Sequence, residues 1–218
     1  MKIIFDVDGV LIDGWHIDPD LRKPWNINLE RDLGVNVKEF ERAFFGQQSG
    51  NGRSIMDACV EGKRDLNHAL GDVLPRLGYR GSIDAFIRYW LEKDSNTNQE
   101  VFDIVMQLNG IENLELYVAT AQEHNRANYL WNELGFCKHF SKIFYSAEIG
   151  YSKRDPKFYQ SINDALGVTA SSEPPVFFDD QEKLVDLALA AGWDATIFNS
   201  VKDLRTHPKI VQALQKSP

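Results

Sequence analysis

Cysteine is nearly absent: Cys59 and Cys137 are the only two in 218 residues. They stand far apart and in no metal-ligand spacing, so neither a disulfide framework nor a thiolate metal site is expected, and two lone thiols suit a reducing cytoplasm. Basic charge is also short. Twenty-four Lys and Arg against 32 Asp and Glu leave a net charge of −8, which argues against a nucleic-acid partner, because phosphate backbones need a basic surface. A small anionic substrate in a local pocket remains compatible with that balance. No apolar run approaches the roughly 20 residues of a membrane helix. Met1 leads straight into an apolar run, so no signal peptide is expected and the expected location is cytoplasmic. No internal repeat and no low-complexity stretch interrupts the chain.

What remains is ordinary globular material, 43% hydrophobic and 26% charged, long enough for one large domain or a domain with a smaller insert. Residues 2–6 form a short apolar run read as a first strand. From Gly14 to about Asn109 the pattern is helical instead. Ile83, Phe86, Ile87, Trp90 and Leu91 fall on one helix face, and Val101, Ile104, Val105 and Leu108 repeat the spacing. Leu66, Ala69, Leu70, Val73, Leu74 and Leu77 make a further stripe, which Pro75 should kink or end. Other helices are expected at 28–34, 38–45 and 53–61. After Asn109-Gly110 strands return at 114–120, 142–146, 175–178 and 195–198, separated by helical patterns at 123–134, 156–166, 182–191 and 201–215. Such alternation predicts a parallel α/β sheet with helices on both faces. The expected division is a discontinuous core, 1–13 and 110–218, with a helical insert at 14–109.

Ligands of open parallel sheets bind outside the carboxyl ends of the strands, so the residues there carry the chemistry. The first strand runs into "FDVDGVLID", giving Asp6 and Asp8. The second ends at Thr120. The third leads to "GYSKRDPKFY" with Lys153, and the fourth ends in "FFDDQEK" with Asp179 and Asp180. Two residues apart on an extended chain, Asp6 and Asp8 should face one crevice, where they repel unless a cation or proton relieves them. An oxygen-only set with few protein ligands suits Mg²⁺, and Thr120 and Lys153 suit an anion beside it. A carboxylate can attack phosphorus, and a second can pass a proton to the leaving oxygen. Gly9 frees the backbone to turn after Asp8.

These motifs, in this order, resemble the haloacid dehalogenase-like (HAD) hydrolase superfamily, phosphatase branch, over nearly the whole chain. The resemblance implies a Rossmann-like core with a helical C1 cap. "DVDGV" is similar to the first motif, which implies Asp6 as nucleophile and metal ligand and Asp8 as acid/base, with Asp8 also at the metal. Thr120 and Lys153 match the second and third motifs. "FFDDQEKLVDLALAAGW" resembles the fourth in its double-aspartate form, implying Asp180 as metal ligand and Asp179 beside it. That type includes sugar-phosphate phosphatases. Arg154 replaces the usual proline after the lysine, and Ala121 stands where many relatives carry a substrate-holding asparagine.

Each signal has a plainer reading. Asp-x-Asp-Gly is common in turns after strands, and Asp179-Asp180 can cap a helix. Agreement of four strand ends in order sets the group apart. Arg53, in the Gly-rich loop 44–54, is a candidate substrate contact, as is Ala121; a flexible turn is the plainer account of that loop. Trp15 and His16 read as a packed tryptophan and an exposed histidine, Lys142 and Lys157 as surface lysines, and His124 and Arg126 as near the site in chain terms only. The expected protein is a Mg²⁺-dependent phosphatase of a small phosphorylated metabolite, monomer or homodimer. The rivals are a 2-haloacid dehalogenase, a phosphosugar mutase and a non-enzymatic regulator on the same fold.

Overall fold

The computed structural model describes residues 1–13, 23–47 and 52–215. Five strands, β1 (Lys2–Phe5), β2 (Glu115–Thr120), β3 (Lys142–Tyr145), β4 (Val176–Asp179) and β5 (Asp194–Ile197), form one parallel sheet in the order β3-β2-β1-β4-β5. β1 is central because it can be buried on both faces. Ile3 and Phe5 join one apolar cluster with Val118 and Phe178, while Ile4 joins another with Tyr117, Phe158 and Phe177. A strand covered on both sides reads as a continuous apolar run, as "KIIF" does.

The helices are α1 (Leu29–Leu33), α2 (Val37–Phe44), α3 (Ile55–Val60), α4 (Leu66–Val73), α5 (Ile83–Lys93), α6 (Gln99–Leu108), α7 (His124–Asn128), α8 (Ser146–Ile149), α9 (Pro156–Leu166), α10 (Glu182–Ala190), α11 (Val201–Thr206) and α12 (Pro208–Gln215). Helices α1 to α5 build a core of their own around Phe40, Phe44, Leu70, Phe86 and Trp90. Trp25 stacks on Trp90 with ring centroids 4.5 Å apart. Their starts are well specified: Ser54 and Asp57 form a reciprocal capping box on α3, and the Ser82 hydroxyl accepts from the Ala85 N–H on α5, which satisfies donors the helix cannot.

The insert ends earlier than the sequence pattern predicts. Val101, Ile104, Val105 and Leu108 of α6 pack with Ile3, Phe5 and Val118, so α6 covers the sheet and the boundary moves from Asn109 back to Asp94. Periodicity marks an amphipathic helix but not which core its stripe meets. The expected helix at 201–215 is two, because Pro208 cannot continue α11 and instead opens α12. Pro75 does end α4, which passes into a 3₁₀ turn over Leu74–Leu77. The four-residue α8 is too short for a periodic signal.

The two chain segments joining insert and core pair with each other. Asp13 N–H donates to the Asn96 carbonyl (2.9 Å), and Asn98 N–H to the Leu11 carbonyl (2.9 Å). A second contact lies at the end of α3. Gly62 (φ +69) approaches α8 so closely that a Cβ would stand 2.4 Å from the Ala147 carbonyl oxygen. No helix among the described residues is long and apolar enough to cross a membrane.

Cys59 lies in the insert's core and Cys137 on the surface. Burial pushes the Cys59 thiol up to about 11, so at pH 8 it is protonated as well as screened. A thiol-reactive disulfide should label one equivalent of native protein at pH 8, and a second only in denaturant. Two fast equivalents without denaturant would contradict this packing.

Candidate active site

Strand order turns back at β1, with β2 on one side and β4 on the other, which opens a crevice at their carboxyl ends. Asp6 is the first residue past β1, held alongside β4 by its N–H donating to the Phe178 carbonyl (3.0 Å). Its carboxylate is buried and accepts from the Val7 N–H at Oδ1 (2.7 Å). Gly9 (φ +85) then turns the chain against Asp180, where a Cβ would stand 2.4 Å from Asp180 Oδ2. Glycine is required there twice over, for the left-handed backbone and for the close approach.

Lys153 is 1% exposed. It arrives on the loop between α8 and α9 and places Nζ 2.7 Å from Asp6 Oδ1 and 2.6 Å from Asp179 Oδ2. Burial alone would lower the lysine pKa, but the charges of Asp179 and Asp6 overcome it, and the pKa lies above the ordinary lysine value. The Asp6 carboxyl is pushed well up, first by burial, with Lys153 opposing and Asp179 adding to the rise. Asp179 accepts a further bond from the Gln181 N–H (2.8 Å) at its other oxygen.

Asp6, Asp179 and Asp180 each offer an oxygen within 4.8 Å of the others. The donor set is all oxygen, as a hard cation prefers. The residues therefore fit Mg²⁺, with Asp179 inside the carboxylate group rather than only beside it.

Asp8 departs from expectation. Its side chain is 43% exposed and stands outside that three-carboxylate group. Gln122 Nε2 donates to Asp8 Oδ2 (2.6 Å) and Arg126 Nη2 to Asp8 Oδ1 (2.7 Å). The strand ends at Phe5 and the chain turns from Val7, whose carbonyl accepts from the Val10 N–H (3.2 Å) and the Ile12 N–H (2.8 Å), so two-residue alternation does not carry from Asp6 to Asp8. Thr120, buried at the end of β2, meets Gln122 Nε2 at 3.4 Å.

Gln122 and Arg126 are functional candidates that sequence pattern passes over. Arg126 was expected to be near only in chain terms, yet it is 5% exposed and points at Asp8. The available signal is the run "TAQEHNR", dense in polar residues directly after a site strand. Glu123 makes the run fold this way: its carboxylate caps α7, accepting from the Arg126 N–H (2.6 Å) and Asn125 N–H (2.7 Å).

Arg53 pairs with Glu61, which also holds Lys63 Nζ at 2.5 Å. It lines a cleft of about 540 Å³ with Tyr151, Ser152 and Arg154, between α3 and the loop that carries Lys153. Ala121 is exposed at the end of β2. Trp15, His16 and residues 48–51 of the loop after α2 lie outside the described residues.

No protein-family model matches the sequence, and neither does any curated protein sequence. Solved structures do match its shape. A HAD-family enzyme from Bacteroides thetaiotaomicron, crystallised with magnesium and inorganic phosphate, aligns over 90% of this chain and 92% of its own at TM-score 0.69 and 17% identity. The fold is that of HAD-family enzymes. A predicted HAD-like family hydrolase from Porphyromonas gingivalis aligns over 98% and 97% (TM-score 0.62, 14% identity). A 2-haloacid dehalogenase from Pseudomonas syringae pv. Tomato DC3000 aligns over 91% and 86% (TM-score 0.61, 18% identity). Hydrolase and dehalogenase chemistry are thus both described on this scaffold, and the side chains must discriminate between them.

Gly9→Ala tests the carboxylate arrangement directly. The left-handed backbone should cost about 1–2 kcal/mol of stability in denaturant melts, and displacement of Asp180 should weaken Mg²⁺ binding, measured by calorimetry, at least about tenfold. Unchanged Mg²⁺ affinity in the folded variant would remove Asp180 from the site.

Proposed function

We propose that the protein is a Mg²⁺-dependent phosphatase acting on a small phosphate monoester, a sugar phosphate among the candidates, with the helical insert as its cap. The observation that carries this reading is the separation of two carboxylates two residues apart. Asp6 lies buried within the cation group against Lys153, while Asp8 lies outside it, oriented by Gln122 and Arg126. Two carboxylates in unlike environments can take unlike roles, nucleophile and proton carrier. Halide displacement calls for the nucleophile but for no acid at the position of Asp8.

In this reading a carboxylate oxygen of Asp6 attacks phosphorus as the bond from phosphorus to the ester oxygen breaks, and protonated Asp8 gives its proton to that departing ester oxygen, which leaves as the alcohol. Asp8 then takes a proton from water whose oxygen attacks the aspartyl-phosphate, releasing orthophosphate and restoring both acids. Lys153 offsets the charge of the buried carboxylates, and Thr120 offers a hydroxyl to the phosphoryl oxygens. Asp6, Asp179 and Asp180 would hold Mg²⁺, which would supply positive charge against those oxygens and orient the ester.

A panel of phosphorylated metabolites, assayed for released phosphate with Mg²⁺, tests the proposal. Turnover should vanish with chelator and return with Mg²⁺, and Ca²⁺ should support it poorly because its looser shell misplaces the attacking oxygen. Asp6→Asn should lose at least about a thousandfold in kcat while keeping its melting temperature. Full activity in excess chelator, or near wild-type turnover by folded Asp6→Asn, would overturn the mechanism.

A further inference from the structure

Arg126 does more than touch Asp8. Its guanidinium is buried, and the same Nη2 that donates to Asp8 Oδ1 (2.7 Å) also donates to the backbone carbonyl of Asp94 (2.8 Å), while Nη1 donates to the Asp94 carboxylate. Burial alone would lower its pKa, but the charges of Asp8 and Asp94 raise it above the ordinary arginine value. It is a fixed cation with three acceptors and a rigid fork.

Asp94 is the point where the insert ends. It caps α5, with its N–H bonded to the Trp90 carbonyl (3.0 Å). Two residues on, Asn96 pairs with Asp13, side chain to side chain (2.9 Å) and carbonyl to N–H (2.9 Å). One guanidinium therefore spans three parts of the molecule: α7 of the core, the loop bearing Asp8, and the exit of the helical insert. Any rotation of the insert about its paired connections moves the Asp94 end of the fork, and the Asp8 end moves with it. Gln122 holds the other Asp8 oxygen from the core side (2.6 Å), so Asp8 stands between a fixed donor and one linked to the insert.

We propose that Arg126 is a positioning residue that sets the orientation of Asp8 toward the leaving oxygen and couples it to the insert through Asp94. The proposal rests on the phosphatase reading. If Arg126 acts through Asp8, its loss matters where the departing oxygen needs a proton and little where it does not. Alkyl phosphates need one; p-nitrophenyl phosphate, whose leaving group departs as a stable anion, does not.

The test compares kcat/KM, which reports only the steps through transfer to Asp6, for the Mg²⁺-loaded enzyme on p-nitrophenyl phosphate and glycerol 1-phosphate. Arg126→Met should lose about a hundredfold on the alkyl ester and only a few-fold on the aryl ester. Asp94→Asn, which keeps the backbone carbonyl contact, should show the same split at about tenfold. Should Arg126→Met fail to fold, Asp94→Asn and Arg126→Lys carry the test, the lysine falling between wild type and methionine because one ammonium cannot reproduce the fork. Equal losses on both esters in folded variants, or no loss, would overturn the role of Arg126 while leaving the phosphatase reading intact. Wild-type protein that hydrolyses neither of these esters nor any member of the metabolite panel would overturn the phosphatase reading and this role with it.

Discussion

At the centre of the site one ammonium group stands between two buried carboxylates, and the geometry around it follows from that placement. Lys153 Nζ is within 2.7 Å of both Asp6 and Asp179. Without it, β1 and β4 would bring two like charges together in a dry crevice, at a cost of several kcal/mol per unpaired ion. The lysine reaches that point only because α8 ends in Gly150 (φ +81) and the loop after it turns inward. Sheet order, loop path and site charge are therefore one constraint. Three carboxyl groups, Asp6, Asp179 and Asp180, gather around one ammonium, an excess of acid that a divalent cation would offset. A buried ion group of this kind adds little net stability; it serves to fix oxygen positions in advance.

A second polar network lies beside the first and is kept apart from it. Asp8 belongs with Gln122 and Arg126, and through Arg126 with Asp94. The chain leaves the strand between the two sets, Asp6 being the first residue past β1 and Asp8 lying in the turn that starts at Val7. The first is anchored wholly in strands and loops of the sheet, whereas the second reaches the helical insert. One half of the site is thus held by the sheet's own edge, and the other half is bonded also to the end of α5.

Much of this was legible in the sequence, for physical reasons that can be named. "KIIF" reads as a two-faced buried strand, and the order of strand-end residues brings Asp6, Thr120, Lys153 and the Asp179–Asp180 pair together because parallel strands must place their carboxyl ends on one edge. Periodicity found α5 and α6 but could not assign α6 to the sheet, since a stripe of Val101, Ile104, Val105 and Leu108 carries no address. The positions of Asp8 and Arg126 were not legible. One depends on the strand stopping at Phe5 and the chain turning from Val7, and the other on a guanidinium reaching from α7 to Asp8 and Asp94, and neither leaves a periodic trace.

The segments at either end of the insert leave the core side by side. Ile12 and Thr97 pair as antiparallel neighbours, and such partners stand only about 5 Å apart. A tight turn could bridge that gap, so the sheet's own chain path hardly registers whether dozens of residues or a few lie between. The helical insert is in this sense a cassette. Each doubling of its length costs the core only about 0.6 kcal/mol in loop-closure entropy. Asp6, Lys153 and Asp179 stay where the sheet and its loops put them, while Asp8, bonded through Arg126 to Asp94, keeps one tie to the segment that can change.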